Sequence, residues 1–260
     1  MNHPSRTLTD TLAILFEKGV RYSTVIDCGC ADAHFYLQHF VLGYFVGAMP
    51  VNIDANSFYE PSLKATKDLL GGHYEIAAVT DHIGEIELTL GAHPYWSSLQ
   101  KSGDHYWLTM NALHEGTKKV PATTIDALVA KLALRPPFLI KLDVQGGEIA
   151  VLKGARETLM HTDVIVCETD LVDFRAIDRM LDAAGFDLFD ITELQSIRDG
   201  SLGWFHPIYL NRRLEHVRRR SFWNTADNAG VIELQKQRRE TILALNAGII
   251  AKLKDALAKR

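Results

Sequence analysis

Four apolar runs in this chain end on an acidic residue, and no other feature limits its fold as tightly. They read TVID (24–27), VNID (51–54), FLIKLD (138–143) and DVIVCE (163–168). Runs this apolar, with little alternation, belong to strands buried on both faces. Helical patterns separate them: from 34 into the forties, 60–70 stopped by Gly71-Gly72, 147–159, and 173–184. Further strands are predicted over Tyr74–Val79, Phe186–Ile191 and Trp204–Leu210, with a hairpin-like Glu85–Leu90. Strands alternating with helices predict an α/β fold: a mostly parallel seven-stranded sheet with helices on both faces. Ligands of such sheets bind beyond the carboxyl ends of the strands, at the point where the strand order reverses. The residues to inspect therefore end strands: Asp27, Asp54, Val79, Asp143 and Glu168.

Composition narrows the class. With 47% hydrophobic and 23% charged residues in 260, the chain is neither disordered, collagen-like nor a polytopic membrane protein. Its net charge of −4 is unevenly spread. Residues 212–260 hold 12 of the 28 basic and 5 of the 32 acidic residues, which leaves 16 and 27 for residues 1–211. An acidic body (1–211) with a basic, helical C-terminal extension (212–260) is predicted. Phe35–Ile53 runs 19 residues without a charge, but Gly43, Gly47 and Pro50 interrupt it, so it reads as a helix and a strand rather than a membrane span. The N-terminus shows no apolar signal core. Cys28, Cys30 and Cys167 cannot form a disulfide framework or a spaced zinc site, which points to reduced thiols in a cytoplasm. No His/Asp/Glu spacing reaches a metal motif, so no metal is predicted.

Asp27-x-Gly29 opens a small-residue turn into a helix, and Asp54 ends the following strand. Small residues let a ligand approach the backbone and the outward N–H groups of the helix start. An acid at the second strand end accepts hydrogen bonds from ribose hydroxyls. These features imply a nucleoside-containing cofactor. NAD is a poor match, because DCGCADA keeps one of the three glycines of G-x-G-x-x-G. The acid before the glycine favours a ligand with a cationic amino group, such as the methionine end of S-adenosylmethionine.

The motifs taken together resemble the FkbM family of S-adenosylmethionine-dependent methyltransferases, which are Rossmann-like. The resemblance rests on VIDCGCADAHF (25–35), NIDANSFYEPSLK (52–64), AAVTDHIGEIEL (77–88), SSL (97–99), TTIDAL (123–128) and, most specifically, KLDVQGGEIAVLKGA (141–155). It implies that Asp27, Cys28, Gly29, Ala31 and Ala33 hold the methionine part, Asp54 and Ala55 the ribose, and Ala78, Val79 and Asp81 the adenine. It also implies that Asp143, Gln145 and Glu148 face the methyl group and a small-molecule acceptor, a hydroxyl on a sugar, polyketide or other secondary metabolite. Three positions depart from the family: Ala33 for glycine, Gln145 for glutamate and Gly147 for histidine. The last two remove ionisable groups beside the transfer site.

Plainer readings stand beside these. Asp143 caps a helix, Glu148 meets a helix dipole, and Glu168 and Asp170 read first as solvated loop acids. Segment 91–120, with His93, Tyr95, Trp96, His105, Tyr106, Trp107 and His114, is an aromatic loop or an acceptor lid. Pro136-Pro137-Phe138 precedes its strand, which argues against a base-methylating enzyme. In the basic extension, Ile242, Leu245, Ile249, Leu253 and Leu257 share a helix face. That face is expected to pack on the body or across a homodimer rather than to serve nucleic acid. The rival functions are a nicotinamide-dependent oxidoreductase and a non-catalytic S-adenosylmethionine-binding scaffold.

Overall fold

The computed structural model describes residues 6–91, 97, 114–197 and 200–217. In chain order the strands are β1 (Thr24–Cys28), β2 (Met49–Asp54), β3 (His73–Ile76), β4 (Ala78–Val79), β5 (Gly84–Gly91), β6 (His114–Thr123), β7 (Phe138–Leu142), β8 (Thr162–Cys167), β9 (Thr169–Asp170), β10 (Phe186–Ser196) and β11 (Leu202–Asn211). The helices are α1 (Leu8–Glu17), α2 (His34–Val41), α3 (Glu60–Leu70), α4 (Ile125–Leu132), α5 (Glu148–Lys153), α6 (Arg156–Leu159) and α7 (Leu171–Ala183). The main sheet runs β10-β11-β8-β7-β1-β2-β3, with β9 added beside β11. From β3 to β8 every pairing is parallel, and β11 and β10 run antiparallel at the edge. The expected Rossmann-like sheet is present.

Each central strand sends alternate residues to opposite faces. Ile26, Ile53, Ile140 and Ile165 pack with Ile125, Val151 and Ile177 from α4, α5 and α7. Val25, Leu139 and Val166 pack on the other face with Leu12 and Leu15 of α1 and Phe35 of α2. Helix α1 was not among the expected elements. Thr7 starts it with a capping box, its hydroxyl accepting from the Asp10 amide while the Asp10 carboxylate accepts from the Thr7 amide at 2.9 Å.

Three further departures have local causes. The expected strand over 74–79 divides: β3 ends the main sheet, and β4 pairs with β6 in a second sheet ordered β4-β6-β5. The Ala77 amide donates to the Asp54 carbonyl at 3.0 Å, which bends the chain there. The partner of the hairpin-like 85–90 is β6, HEGTKKVPAT, whose lysines, glycine and proline hide a strand. The helix expected over 147–159 breaks into α5 and α6 at Gly154, where a β-carbon would lie 2.2 Å from the Thr80 carbonyl oxygen. That close approach seats α5 against the loop after β4.

The basic segment begins attached to the body. Arg212 Nε donates to Asp187 at 2.7 Å, Arg213 Nε to Asp163 at 2.9 Å, and Val217 is buried beside α1 and α2 residues. The apolar helix face, Arg218–Arg220 and the aromatic segment around His93, Tyr95, Trp96, His105, Tyr106 and Trp107 lie outside the described residues. No described helix is long and apolar enough to cross a membrane.

Candidate active site

The strand order reverses between β1 and β7, and the turn after β1 sits there. Gly29 takes φ +75°, and its amide donates to the Ile53 carbonyl at 2.8 Å. Asp143 donates its amide to the Cys28 carbonyl at 3.0 Å, so the ends of β1 and β7 are held side by side. Asp54 completes the wall: Oδ2 accepts from the Ala31 amide at 2.9 Å and Oδ1 from the Asn56 amide at 2.8 Å. Burial pushes its carboxyl above the usual range, and those two backbone donors oppose the shift. A cavity of about 260 Å³ opens over these residues, reaching Ala78, Val79 and Leu88 on one side and Asp143, Gln145, Glu168 and Trp204 on the other.

The turn after β7 is built around carboxylates. Gln145 takes φ +55°, and its Nε2 donates to Asp143 Oδ1 at 2.9 Å and to Glu168 Oε1 at 3.1 Å. Glu148 is buried and accepts from the Val144 and Gly146 amides at 3.0 and 3.3 Å, holding the turn from inside. Lys141, buried, donates to Asp143 Oδ2 at 2.8 Å and lies 3.7 Å from Asp27 Oδ1. Burial raises the Asp143 carboxyl, but the Lys141 ammonium outweighs that and holds it below the usual value.

A second cavity, also of about 260 Å³, lies on the α1 and α2 side. Asp143, Glu168 and His34 line both cavities. His206 stands in the second between two glutamates, its Nε2 3.4 Å from Glu168 Oε2 and its Nδ1 3.2 Å from Glu193 Oε2. These are ion-pair contacts rather than aligned hydrogen bonds. Ligand atoms of Asp143, Glu168 and His206 also lie within 4.8 Å of one another, close enough to share a cation. Lys141, Gln145 and the imidazole already supply positive charge and donors to this cluster.

The Methyltransferase FkbM domain family matches residues 27–188, well over half of the chain. The chain belongs to the FkbM methyltransferase family. Among solved structures, an FkbM methyltransferase from Methylobacillus flagellatus KT is 14% identical with a TM-score of 0.46, over 80% of this chain and 48% of that one. This FkbM chain thus spans about half the length of that relative. An rRNA methylase from Streptococcus thermophilus (10%, TM-score 0.44, 81% of this chain and 99% of that one) is similar too. So is a Streptococcus pneumoniae candidate tRNA methyltransferase in complex with S-adenosyl-L-methionine (10%, TM-score 0.41, 90% and 88%). Likeness at such identities concerns the chain path and carries nothing about substrate. No curated protein matches the sequence.

Against the FkbM motifs, the structure brings together Gly29, Ala31, Asp54, Ala55, Ala78, Val79, Asp143 and Gln145 around the first cavity. Asp27 and Cys28 are fully buried behind it, Asp27 beside Lys141, which is also its register partner across β1 and β7. Ala33 packs with Tyr59 and Leu63. Asp81 faces solvent, paired with His82 at 2.9 Å. Glu148 braces the turn from below. Glu168, read from sequence as a solvated loop acid, is instead part of the wall, its side chain 15% exposed. His206 was not singled out at all, although a histidine inside the apolar run WFHPIYL signals a buried polar partner.

Three of these buried groups keep protons that the unfolded chain releases at lower pH. Burial pushes Asp27 up to about 6 and Glu148 up to about 8. For His206, burial acts downward, but Glu168 and Glu193 overcome it and raise the imidazole to about 9. Groups raised on folding stabilise fully below their unfolded pKa, and that stability is lost as pH rises through the folded value. The share of Asp27 is therefore lost by about pH 6. Stability is expected to fall further from about pH 6 to about pH 9 as Glu148 and His206 lose theirs, with roughly 3 kcal/mol from His206. Thermal melts across this range check it, and His206→Gln should flatten the upper part. A melting temperature that climbs with pH would contradict the assignment.

Proposed function

We propose that this chain transfers the methyl group of S-adenosylmethionine to a hydroxyl of a small polar acceptor. The observation that carries the reading is the cavity at the strand-order reversal, with Asp54 on one wall and the Asp143 and Glu168 carboxylates on the other. The donor set fits such a cofactor. Asp54 accepts from ribose hydroxyls, the Gly29–Ala31 backbone offers close approach to the methionine part, and Ala78, Val79 and Leu88 give the base an apolar wall. When bound, the sulfonium supplies a methyl group that is already activated, which leaves the protein to position the two partners. The buried Asp27 does not reach the cavity lining, so its part is to hold Lys141, and through it Asp143, in place.

Three buried, free cysteines support a reducing, cytoplasmic setting. The nicotinamide reading has no support beyond Asp54, since DCGCADA lacks the glycines a pyrophosphate needs. We further propose that the C-terminal segment joins two copies of the chain and serves no nucleic acid.

Asp54→Ala is expected to weaken S-adenosylmethionine binding about ten- to a hundredfold, because a partly buried charged acceptor is lost. Isothermal titration calorimetry measures this directly. Unchanged affinity would remove Asp54 from the site.

A further inference from the structure

The two cavities meet at Asp143, Glu168 and His34. If one holds the methyl donor, the acceptor has to reach it across these residues, because methyl transfer needs both partners in line. The second cavity suits a polyhydroxylated molecule. His39 Nδ1 donates to the Phe35 carbonyl at 2.7 Å, leaving Nε2 to accept from the Thr9 hydroxyl at 3.1 Å, and Gln38 donates to the same hydroxyl at 3.1 Å. Glu193, Glu168 and His206 line the opposite side.

Of the three shared residues, one is suited to take a proton. Asp143 has both carboxylate oxygens engaged, by Lys141 at 2.8 Å and by Gln145 at 2.9 Å. His34 is largely exposed and pairs with Asp32 at 2.9 Å. Glu168 gives Oε1 to Gln145 and, among the described residues, has only the looser His206 contact at Oε2. We infer that Glu168, rather than Asp143, is the base of this methyltransferase, and that the acceptor is a small polyhydroxyl compound entering through the cavity beneath α1. In the transfer, a lone pair of the acceptor oxygen forms the new C–O bond, the C–S bonding pair returns to sulfur, and the O–H proton passes to Glu168 Oε2. Burial and the Asp143 charge raise the Glu168 carboxyl above its usual value, which favours proton uptake. Lys141, His206, Glu193 and His39 are the other titratable groups around this point.

This inference rests on the methyltransferase reading, and one set of titrations separates the two. S-Adenosylmethionine and S-adenosylhomocysteine differ in the sulfonium charge, so a carboxylate at the junction favours the former. Calorimetry in EDTA on wild type and Glu168→Gln should show the preference for S-adenosylmethionine falling about tenfold, with homocysteine-product affinity changed less than about twofold. With tritium-labelled S-adenosylmethionine and a panel of methyl glycosides as acceptors, the variant should lose about 100-fold or more in kcat. If no glycoside is turned over, the affinity ratio decides alone.

Binding of neither ligand by the wild type would sink the methyltransferase reading and this inference with it. Binding of both with a ratio unmoved by Glu168→Gln would overturn only the role of Glu168, as would wild-type turnover in the variant. A preference that appears only when magnesium is added would assign the carboxylate to a cation instead.

Discussion

Gly29→Ala is expected to yield a chain that no longer folds to a stable state. A β-carbon at this position would lie 1.9 Å from the Asp143 carbonyl oxygen and 2.7 Å from its carbon, both backbone atoms. Neither can retreat, since the adjacent Asp143 amide is bonded to Cys28 and β7 is paired with β1 on one side and β8 on the other. The φ of +75° adds strain that a side chain meets anywhere in that region. A loss above about 4 kcal/mol follows, seen as insoluble protein or as a melting temperature lower by about 8–16 °C. Gly19→Ala is the control: its φ is +85°, but nothing lies within 4 Å of the added carbon, so about 1 kcal/mol is expected. Equal effects of the two substitutions would show that the contact with Asp143 is not what requires glycine.

Lys141→Met should be the most damaging change that leaves the backbone untouched. The lysine is 4% exposed and is the cation next to two carboxylates, the partly buried Asp143 at 2.8 Å and the buried Asp27 at 3.7 Å. Asp27 is wholly buried, and neither of its oxygens has a hydrogen-bond donor among the described residues. Removing one partner of a buried ion pair costs about 3–5 kcal/mol, because the remaining charge loses its compensation. Both aspartates would then rise in pKa, and groups raised on folding destabilise as pH increases. Denaturant unfolding should therefore show a larger loss at pH 8 than at pH 5, with partial recovery in Lys141→Met/Asp27→Asn. A loss independent of pH, or a double variant no better than the single, would show that Lys141 acts through packing instead.

Much of the frame was legible in the sequence because strands buried on both faces leave continuous apolar runs. TVIDC, FLIKL and TDVIVC became β1, β7 and β8 at the expected places. The acids closing those runs marked the ligand edge, and Asp54 and Asp143 line the cavity there. Position at a strand end does not tell which way a carboxylate points. Asp27 and Lys141 are register partners on the face toward α1 and α2, so their charges meet within the core, whereas Asp54 turns to the cavity. A lysine inside FLIKL was the available sign of such a pair, since a charge is seldom buried unpaired. Strand β6 was hidden because most of its described side chains face solvent and it is held mainly by pairing with β5 and β4. His206 escaped notice, and Glu168 read first as a solvated loop acid, because the two lie 38 positions apart and meet only where β11 returns beside β8.

Native mass spectrometry of the purified full chain with S-adenosylmethionine and NAD tests the central claim most directly. The account predicts one equivalent of S-adenosylmethionine bound to wild type, displaced by S-adenosylhomocysteine, sharply reduced in Asp54→Ala, and no NAD. Retention of NAD without S-adenosylmethionine, or failure to bind either, would contradict it.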